Sequence, residues 1–321
     1  MTGLDTDARL QWIKKYGTNP YSSLLLYKDM AAFPLASAEG FIGYRNGRGM
    51  LMVLGEPVCA PEYYRVAMQE FIDYCRAEKK SFIQICCGDI FKEAVKELDL
   101  SAVYIGEDFI FDASTYSPKG ERAKPARWAK NRAIRSGVSV KEYNPNKQPD
   151  PALEAAFSAV AQRWMKKATP FTPHLIDLNI FENRLYKRYF YAEVGGAPVA
   201  LITCLPIFGR QGYLLEDVIR DPASPYGSIE FITLTILDSL KNDDSKMATF
   251  GISPRLDVDG LTGTPRFFMR TGMWFANRMF RLPQLHHFRK KFHATYTEPF
   301  YALMYPKGFN LINLVRIISL F

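Results

Sequence analysis

Residues 211–255 read QGYLLEDVIRDPASPYGSIEFITLTILDSLKNDDSKMATFGISPR, and this stretch decides the fold. Tyr213 to Ile219 is an apolar strand interrupted by Glu216 and Asp217. Pro222, Pro225 and Gly227 bound a loop. Ser228 then occupies an expected N-cap, where its hydroxyl would accept from free amides of the next turn. Ile229, Phe231, Ile232, Leu234, Ile236, Leu237 and Leu240 make Ser228 to Lys241 a well-buried helix, and Met247 to Phe250 a second strand. Strand, loop and helix N-terminus together aim backbone N–H groups and a dipole at whatever sits in the loop. An ordinary strand-to-helix connection would look the same. Glu216, Asp217 and Arg220, at the end of the strand, narrow the choice between the two readings without closing it.

Outward from this unit, two hairpins appear. Phe41 to Tyr44 and Met50 to Leu54 flank Asn46-Gly47, a strong turn signal. Tyr189 to Val194 and Val199 to Leu205 flank Gly195-Gly196. After the first hairpin, Pro61 opens a helix to about Glu78, and Phe82 to Cys86 is a buried strand. Asp89 starts a helix through about Leu98, and Val103 to Ile105 and Phe109 to Phe111 read as two strands. The second half repeats this order, so the expected fold class is α/β with mixed sheets, built from two copies of one unit.

Between the copies lies SPKGERAKPARWAKNRAIRSG, residues 117–137. It carries Lys119, Arg122, Lys124, Arg127, Lys130, Arg132 and Arg135 against one acid, Glu121. Pro125 suits a helix start and Gly137 a helix end. With almost no acids for i,i+4 pairing, and with Trp128 as a stacking surface, this helix suits an anionic partner better than a merely solvated face.

The chain has 321 residues, a hydrophobic content of 48% and a charged content of 23%, enough for two globular domains. No apolar run is long enough to span a membrane, and the amino-terminal MTGLDTDARLQ has no signal-peptide core. Five cysteines without metal-ligand spacing (Cys59, Cys75, Cys86, Cys87, Cys204) predict reduced, buried thiols in a cytoplasmic protein. The formal net charge is +8. From Gly260 to Phe321 there are nine cations and one acid, so that segment alone accounts for the excess. A one-sided basic end implies nucleic acid, a membrane surface or a phosphorylated substrate.

Zinc, P-loop, Rossmann, EF-hand and nucleophile-elbow patterns are missing, so neither metal nor cofactor is expected. Three of the four histidines lie in HHFRKKFH and the fourth is His174, a spacing from which no triad can be assembled. An acid and a guanidinium at Asp217 and Arg220 suit an amine beside a carbonyl or phosphate oxygen, though a structural ion pair fits the same residues.

GYLLEDVIRDPASPYGSIEFITLTILDSLK, ATFGISPR and FRKKFHATYTEPFYALMYP together resemble the C-terminal synthase domain of the phosphatidylglycerol lysyltransferase family. That domain carries D-x-x-R, a Pro/Gly loop and helix, G-x-x-P, and F-K-x-K-F before an aromatic stretch. YRNGRGMLMVLGEPVCAPE resembles the family's first hairpin and G-D-P-V turn, and ARWAKNRAIRSGVSV its basic connecting helix. The resemblance covers roughly residues 40 to 306. Glu56 stands where the pattern has Asp, and Arg289 replaces the first Lys of F-K-x-K-F. The resemblance implies two tandem GNAT-like acyltransferase units: 1–117, a connecting helix at 118–137, a catalytic unit at 138–307 and a tail at 308–321. It implies an aminoacyltransferase that takes its group from aminoacyl-tRNA and passes it to a lipid hydroxyl, working at the inner face of the membrane. Asp217 and Arg220 match D-x-x-R, and Lys291 matches the second Lys of F-K-x-K-F. The expected roles are Asp217 on the ammonium, Arg220 on a phosphate or oxyanion, and Lys291 in charge stabilisation or proton transfer. Their charged ends are expected in one cleft, within about 10 Å. Glu216, Tyr226, Gly227, Ser228 and Glu230 are expected around the substrate, and Lys124, Arg127, Lys130, Arg132 and Arg135 on tRNA phosphates.

Two other readings compete. An acyl-CoA-dependent N-acyltransferase needs a glycine-rich pyrophosphate loop, whereas DPASPYGS has two prolines that lack amide donors. A non-catalytic nucleic-acid-binding protein would need only the charge. The segment 267–280, dense in Phe and Met, reads as core or as an acyl-chain tunnel. The tail from Lys307 to Phe321 is too short to span a bilayer but amphipathic enough to lie on an anionic one. Packing against its own domain, or against a second copy of the chain, is the alternative for the tail.

Overall fold

The computed structural model describes residues 4–47, 50–167, 180–255 and 282–307, with positions 270 and 277. His174, most of the aromatic segment 267–280 and the tail 308–321 lie outside the described residues. The strands are β1 (Ala31–Pro34), β2 (Phe41–Asn46), β3 (Met50–Leu54), β4 (Ser81–Cys87), β5 (Ser101–Asp112), β6 (Val138–Tyr143), β7 (Arg188–Val194), β8 (Ala197–Ile207), β9 (Gly212–Arg220), β10 (Met247–Pro254) and β11 (Tyr296–Tyr305). The helices are α1 (Thr6–Tyr16), α2 (Tyr64–Ala77), α3 (Asp89–Ala94), α4 (Lys124–Arg135), α5 (Pro151–Lys167), α6 (Ser228–Asn242) and α7 (Leu282–Lys290).

All eleven strands join one sheet in the order β1-β2-β3-β4-β11-β5-β10-β9-β8-β7-β6. Only β3/β4 and β9/β10 pair in parallel, and each parallel pair is joined by a helical crossover, α2 or α6. The two halves therefore repeat, as their hairpins and helices suggest. Their last strands are exchanged: β5 of the first half pairs with β10 of the second, and β11 of the second pairs with β4 of the first. β5 and β11 pair antiparallel at the centre. The repeat extends to detail. β4 and β10 each carry a bulge with a left-handed residue, Cys86 (φ 62°) and Gly251 (φ 71°).

Several local expectations change. The segments around Val103 and Phe109 form one twelve-residue strand, because Gly106 (φ 153°) lets the chain run on past Ser253 where a side chain would collide. The helix from Asp89 stops at Ala94, short of Leu98. Ser228 is not the N-cap of α6. Gly227 takes that place at φ 91°, and the Ser228 hydroxyl donates to Pro225 O at 2.8 Å. Glycine is required there because a Cβ would lie 2.0 Å from Ala129 O of α4. Ala126, Ala129 and Ala133 give α4 a smooth face, so it can pack this closely against α6.

Alternation along β8 sorts the faces of the second half. Ala200, Ile202 and Cys204 join the core under α4, α6 and α7, whereas Leu201, Leu205 and Ile207 face α5 and the amino-terminal segment. All five cysteines are buried and free. Among the described residues, no helix is long and apolar enough to cross a membrane.

Candidate functional site

β9 and β10 pair only from Gly212–Met247 to Leu214–Thr249. Beyond that point β9 continues to Arg220 and β10 to Pro254, so the two strands part and leave a wedge in the sheet. Side chains hold the β10 edge. Arg289, the residue that departs from the Lys of the motif, is buried and donates to Gly251 O at 3.0 Å, to Phe250 O at 2.8 Å and to Ile252 O. The Tyr21 hydroxyl accepts Ile252 N–H at 2.6 Å. Thr249 accepts Gly251 N–H at 2.8 Å and donates to buried Asp108. Burial raises the Asp108 carboxyl to about 6.

On the other side of the wedge, β9 bulges. Ile202 pairs with Val218 and Cys204 with Leu215, so Glu216 and Asp217 together oppose Thr203. Thr203 Oγ1 donates to Asp217 Oδ2 at 2.9 Å and accepts Asp217 N–H at 3.1 Å. The bulge brings both acids to one cation. Lys187 Nζ lies 2.9 Å from Glu216 Oε2 and 3.7 Å from Asp217 Oδ2. The Lys187 side chain is 1% exposed, against 13% for Glu216 and 18% for Asp217, so the lysine closes the floor beneath the acids. Tyr27 donates to Glu216, and its ring lies 5.1 Å from Lys187 Nζ. Desolvation, then the neighbouring Glu216 charge, pushes the Asp217 carboxyl up to about 6, while Lys187 and Thr203 act the other way.

Of the residues expected from sequence, Glu216 and Asp217 lie together, and Arg220 stands exposed at the end of the same strand. Lys291 belongs to a different group. Its Nζ pairs with Glu230 at 3.1 Å and lies 5.8 Å from the Tyr226 ring centre and 5.9 Å from that of Phe288. Phe288 and α6 pack on the face opposite Thr203, so Lys291 and Asp217 share no partner among their described contacts. Lys187, Thr203 and Tyr27 were not singled out in the sequence. A lysine before a strand looks solvent-facing in any local pattern, and Tyr27 is 189 positions from Glu216.

α4 presents its cations on the same face as Lys291. Arg132 lies over the rings of Trp128 (5.5 Å) and Tyr226 (5.2 Å), which are 51% and 43% exposed. Lys130 lies 5.2 Å from the Phe231 ring centre. Lys124 pairs with Glu121 at 3.0 Å, and Arg127 donates to the Pro118 and Gly120 carbonyls. Arg135 is exposed. Between α4, α6 and the preceding loop is a cleft of about 460 Å³, where Lys119, Arg127, Lys130 and Lys241 surround Tyr116 and Leu237. No cluster of potential metal ligands occurs among the described residues.

Comparison with known proteins bears on this arrangement. Residues 11–304 match the profile of the family described as phosphatidylglycerol lysyltransferase, C-terminal. A lysylphosphatidylglycerol biosynthesis bifunctional protein of Mycolicibacterium gilvum is 24% identical over 234 residues, covering 72% of this chain and 21% of the relative. A phosphatidylglycerol lysyltransferase of Staphylococcus epidermidis is 20% identical over 308 residues, covering 93% of this chain and 35% of the relative. The chain thus spans between a fifth and about a third of the length of these relatives. Among solved structures, L-PGS from Bacillus licheniformis superposes with a TM-score of 0.81 at 16% identity, covering 98% of this chain and 95% of that one. A tandem GNAT protein from the clavulanic acid biosynthesis pathway gives 0.50 at 10% identity, covering 95% and 97%. The expected GNAT-like α/β fold is thereby shown, and a match spanning nearly the whole chain places it in the phosphatidylglycerol lysyltransferase C-terminal family.

Proposed function

We propose that this chain is an aminoacyltransferase that moves an aminoacyl group from aminoacyl-tRNA to a hydroxyl of phosphatidylglycerol. The observation that carries this reading is the acid pair Glu216–Asp217, set by a bulge beside the opened β9/β10 wedge. An aminoacyl ester brings an ammonium next to a reactive carbonyl, and a partly exposed carboxylate pair is the complementary anchor. Family membership supports the acceptor, and the basic face of α4 supports the donor.

The ester is already activated, so the reaction needs positioning and charge stabilisation rather than a covalent enzyme intermediate. The acceptor hydroxyl attacks the ester carbonyl, a new ester bond forms, and the terminal ribose oxygen of the tRNA leaves with the proton. Asp217 holds the ammonium. Arg220, exposed at the strand end, meets the lipid phosphate or the developing oxyanion. Lys291, already paired with Glu230, ties the end of α7 to the start of α6. The cations of α4 and of the adjoining cleft follow the tRNA backbone.

The test is transfer of a labelled amino acid from charged tRNA to phosphatidylglycerol in liposomes. Labelled lipid from wild-type protein, with loss of product but retained tRNA binding in Asp217→Ala, supports the reading. Wild-type protein that yields no labelled lipid with any charged tRNA, or an Asp217→Ala variant with full activity, overturns it.

A further inference from the structure

The reading above uses the cations of α4 and leaves its aromatic side chain without a task. Trp128 on α4 and Tyr226 in the loop before α6 are 51% and 43% exposed, with ring centres 5.7 Å apart and planes inclined at 65°. Among the described residues they are the one ring pair in which both members are exposed. Backbone packing sets them side by side. Each precedes one partner of the tightest contact between α4 and the start of α6, where a Cβ on Gly227 would lie 2.0 Å from Ala129 O. Arg132, one turn on from Trp128, lies 5.5 Å from that ring centre and 5.2 Å from the Tyr226 ring centre. Even with this guanidinium against them, both rings stay open to solvent.

Exposed rings among cations suit either an anionic membrane surface or unpaired nucleic acid. A helix lying in a membrane interface presents an apolar stripe to it. The small apolar residues of α4, Ala126, Ala129 and Ala133, are buried, so that stripe is already used in packing. Ile134, the other large apolar residue exposed on α4, lies about 120° round the helix from Trp128. Nucleic acid needs no stripe, only cations for phosphates and a ring for a base. The position of the rings favours an unpaired end. β9 stops at Arg220 and Tyr226 follows six residues later, so roughly 20 Å of extended chain at most separates Tyr226 from the strand of the acid pair. An amino acid carried by tRNA is esterified to the ribose of an unpaired 3′ terminus. What comes this close to the reacting ester is single strand, whose bases are free to stack.

We propose that Trp128 and Tyr226 form a stacking site for a nucleobase of the donor's unpaired 3′ end, with Arg132 beside them for the adjoining phosphate. Phosphate contacts along α4 give affinity, and a base held in one place fixes the distance from the ester to the wedge. Stacking is tolerant of base identity, because every base has a π-face.

This inference rests on the aminoacyl-tRNA reading, and its test needs no transfer activity. The probes are an acceptor-stem RNA hairpin with an unpaired 3′ CCA and the same hairpin with abasic riboses at those three positions, equal in charge. Fluorescence anisotropy measures the affinity of the full chain for each. Wild-type protein is expected to bind the CCA hairpin about tenfold more tightly, as one base stack allows. Trp128→Ala should abolish that preference while leaving the abasic affinity and the salt slope unchanged, since no phosphate contact is lost. Trp128→Phe keeps a π-face and should retain most of the preference, and melting temperatures check that both variants fold. Equal affinity of wild-type protein for the two hairpins, or an equal loss on both in Trp128→Ala, overturns the inference. So does binding to phosphatidylglycerol vesicles that Trp128→Ala weakens while the hairpin affinities stay in place, which assigns the rings to the membrane. A Trp128-dependent preference for CCA in a protein that forms no labelled lipid overturns the proposed reaction and leaves the stacking site standing. Transfer by Trp128→Ala at the wild-type KM for charged tRNA does the reverse. If neither hairpin binds, both fall.

Discussion

Thr203 and Asp217 hold each other across the β9 bulge by two reciprocal bonds: the threonine hydroxyl donates to the carboxylate at 2.9 Å and accepts the aspartate N–H at 3.1 Å. One hydroxyl thus fixes both the extra residue of the bulge and the direction of its side chain. Thr203→Val keeps the shape and removes both bonds. The part-buried amide loses its partner, at a cost of about 1 kcal/mol. The carboxyl also loses a donor that favours its charged form, so its titration moves further up. Chemical denaturation reads the first effect, and an upward shift in the acid limb of the pH–rate profile reads the second.

Asp217 and Asp108 are both raised from 3.8 to about 6, which makes a prediction about stability. Between about pH 4 and 6 the native state holds more protons than the unfolded chain, so stability falls as pH rises through that window. Above pH 6 the full cost is present. Asp217→Asn should flatten the slope in that window and raise the melting temperature at pH 7, while abolishing transfer. Urea midpoints at pH 4, 5, 6 and 7 measure it. A wild-type midpoint that rises steadily from pH 4 to 6, with the same slope in the variant, would contradict the assignment.

Arg289→Met should unfold the wedge rather than empty it. The guanidinium meets three carbonyls of the β10 bulge, which no apolar side chain can satisfy. Losing bonds to a charged donor and leaving buried carbonyls unpaired should cost about 3 kcal/mol or more. Arg289→Lys, with fewer donors and no fork, should recover part of that loss. Thermal melts of the two variants rank the effect.

Charge removal on α4 should act on the tRNA alone. Arg132→Ala and Arg135→Ala remove exposed cations from a helix whose packing rests on Ala126, Ala129 and Ala133. Melting temperatures should hardly move. The slope of log affinity for tRNA against log salt should fall by about one for each phosphate that is no longer neutralised. Filter binding between low and moderate salt checks this, and an unchanged slope would remove α4 from the interface.

The amino-acid sequence determined a good deal by itself. The two hairpins were legible because Asn46-Gly47 and Gly195-Gly196 sit between alternating apolar residues, and strand pairing across a tight turn is local. α6 was legible because its apolar positions run almost all round, marking a helix buried on most sides. The family was legible because several short motifs fall in the right order, and Asp217 came with them. The tertiary structure decided the rest. The exchange of β5 and β11 between halves depends on which edges meet after the chain has doubled back, and no periodicity records that. That Lys291 pairs with Glu230 while Asp217 pairs with Thr203 and Lys187 depends on contacts between distant elements and on the β9 bulge, which re-aims side chains. Lys187 is the clearest case. Local pattern places a lysine in water, and only the closing of Tyr27 and two acids around it makes its burial stable, because an ammonium without those partners would be too costly to desolvate.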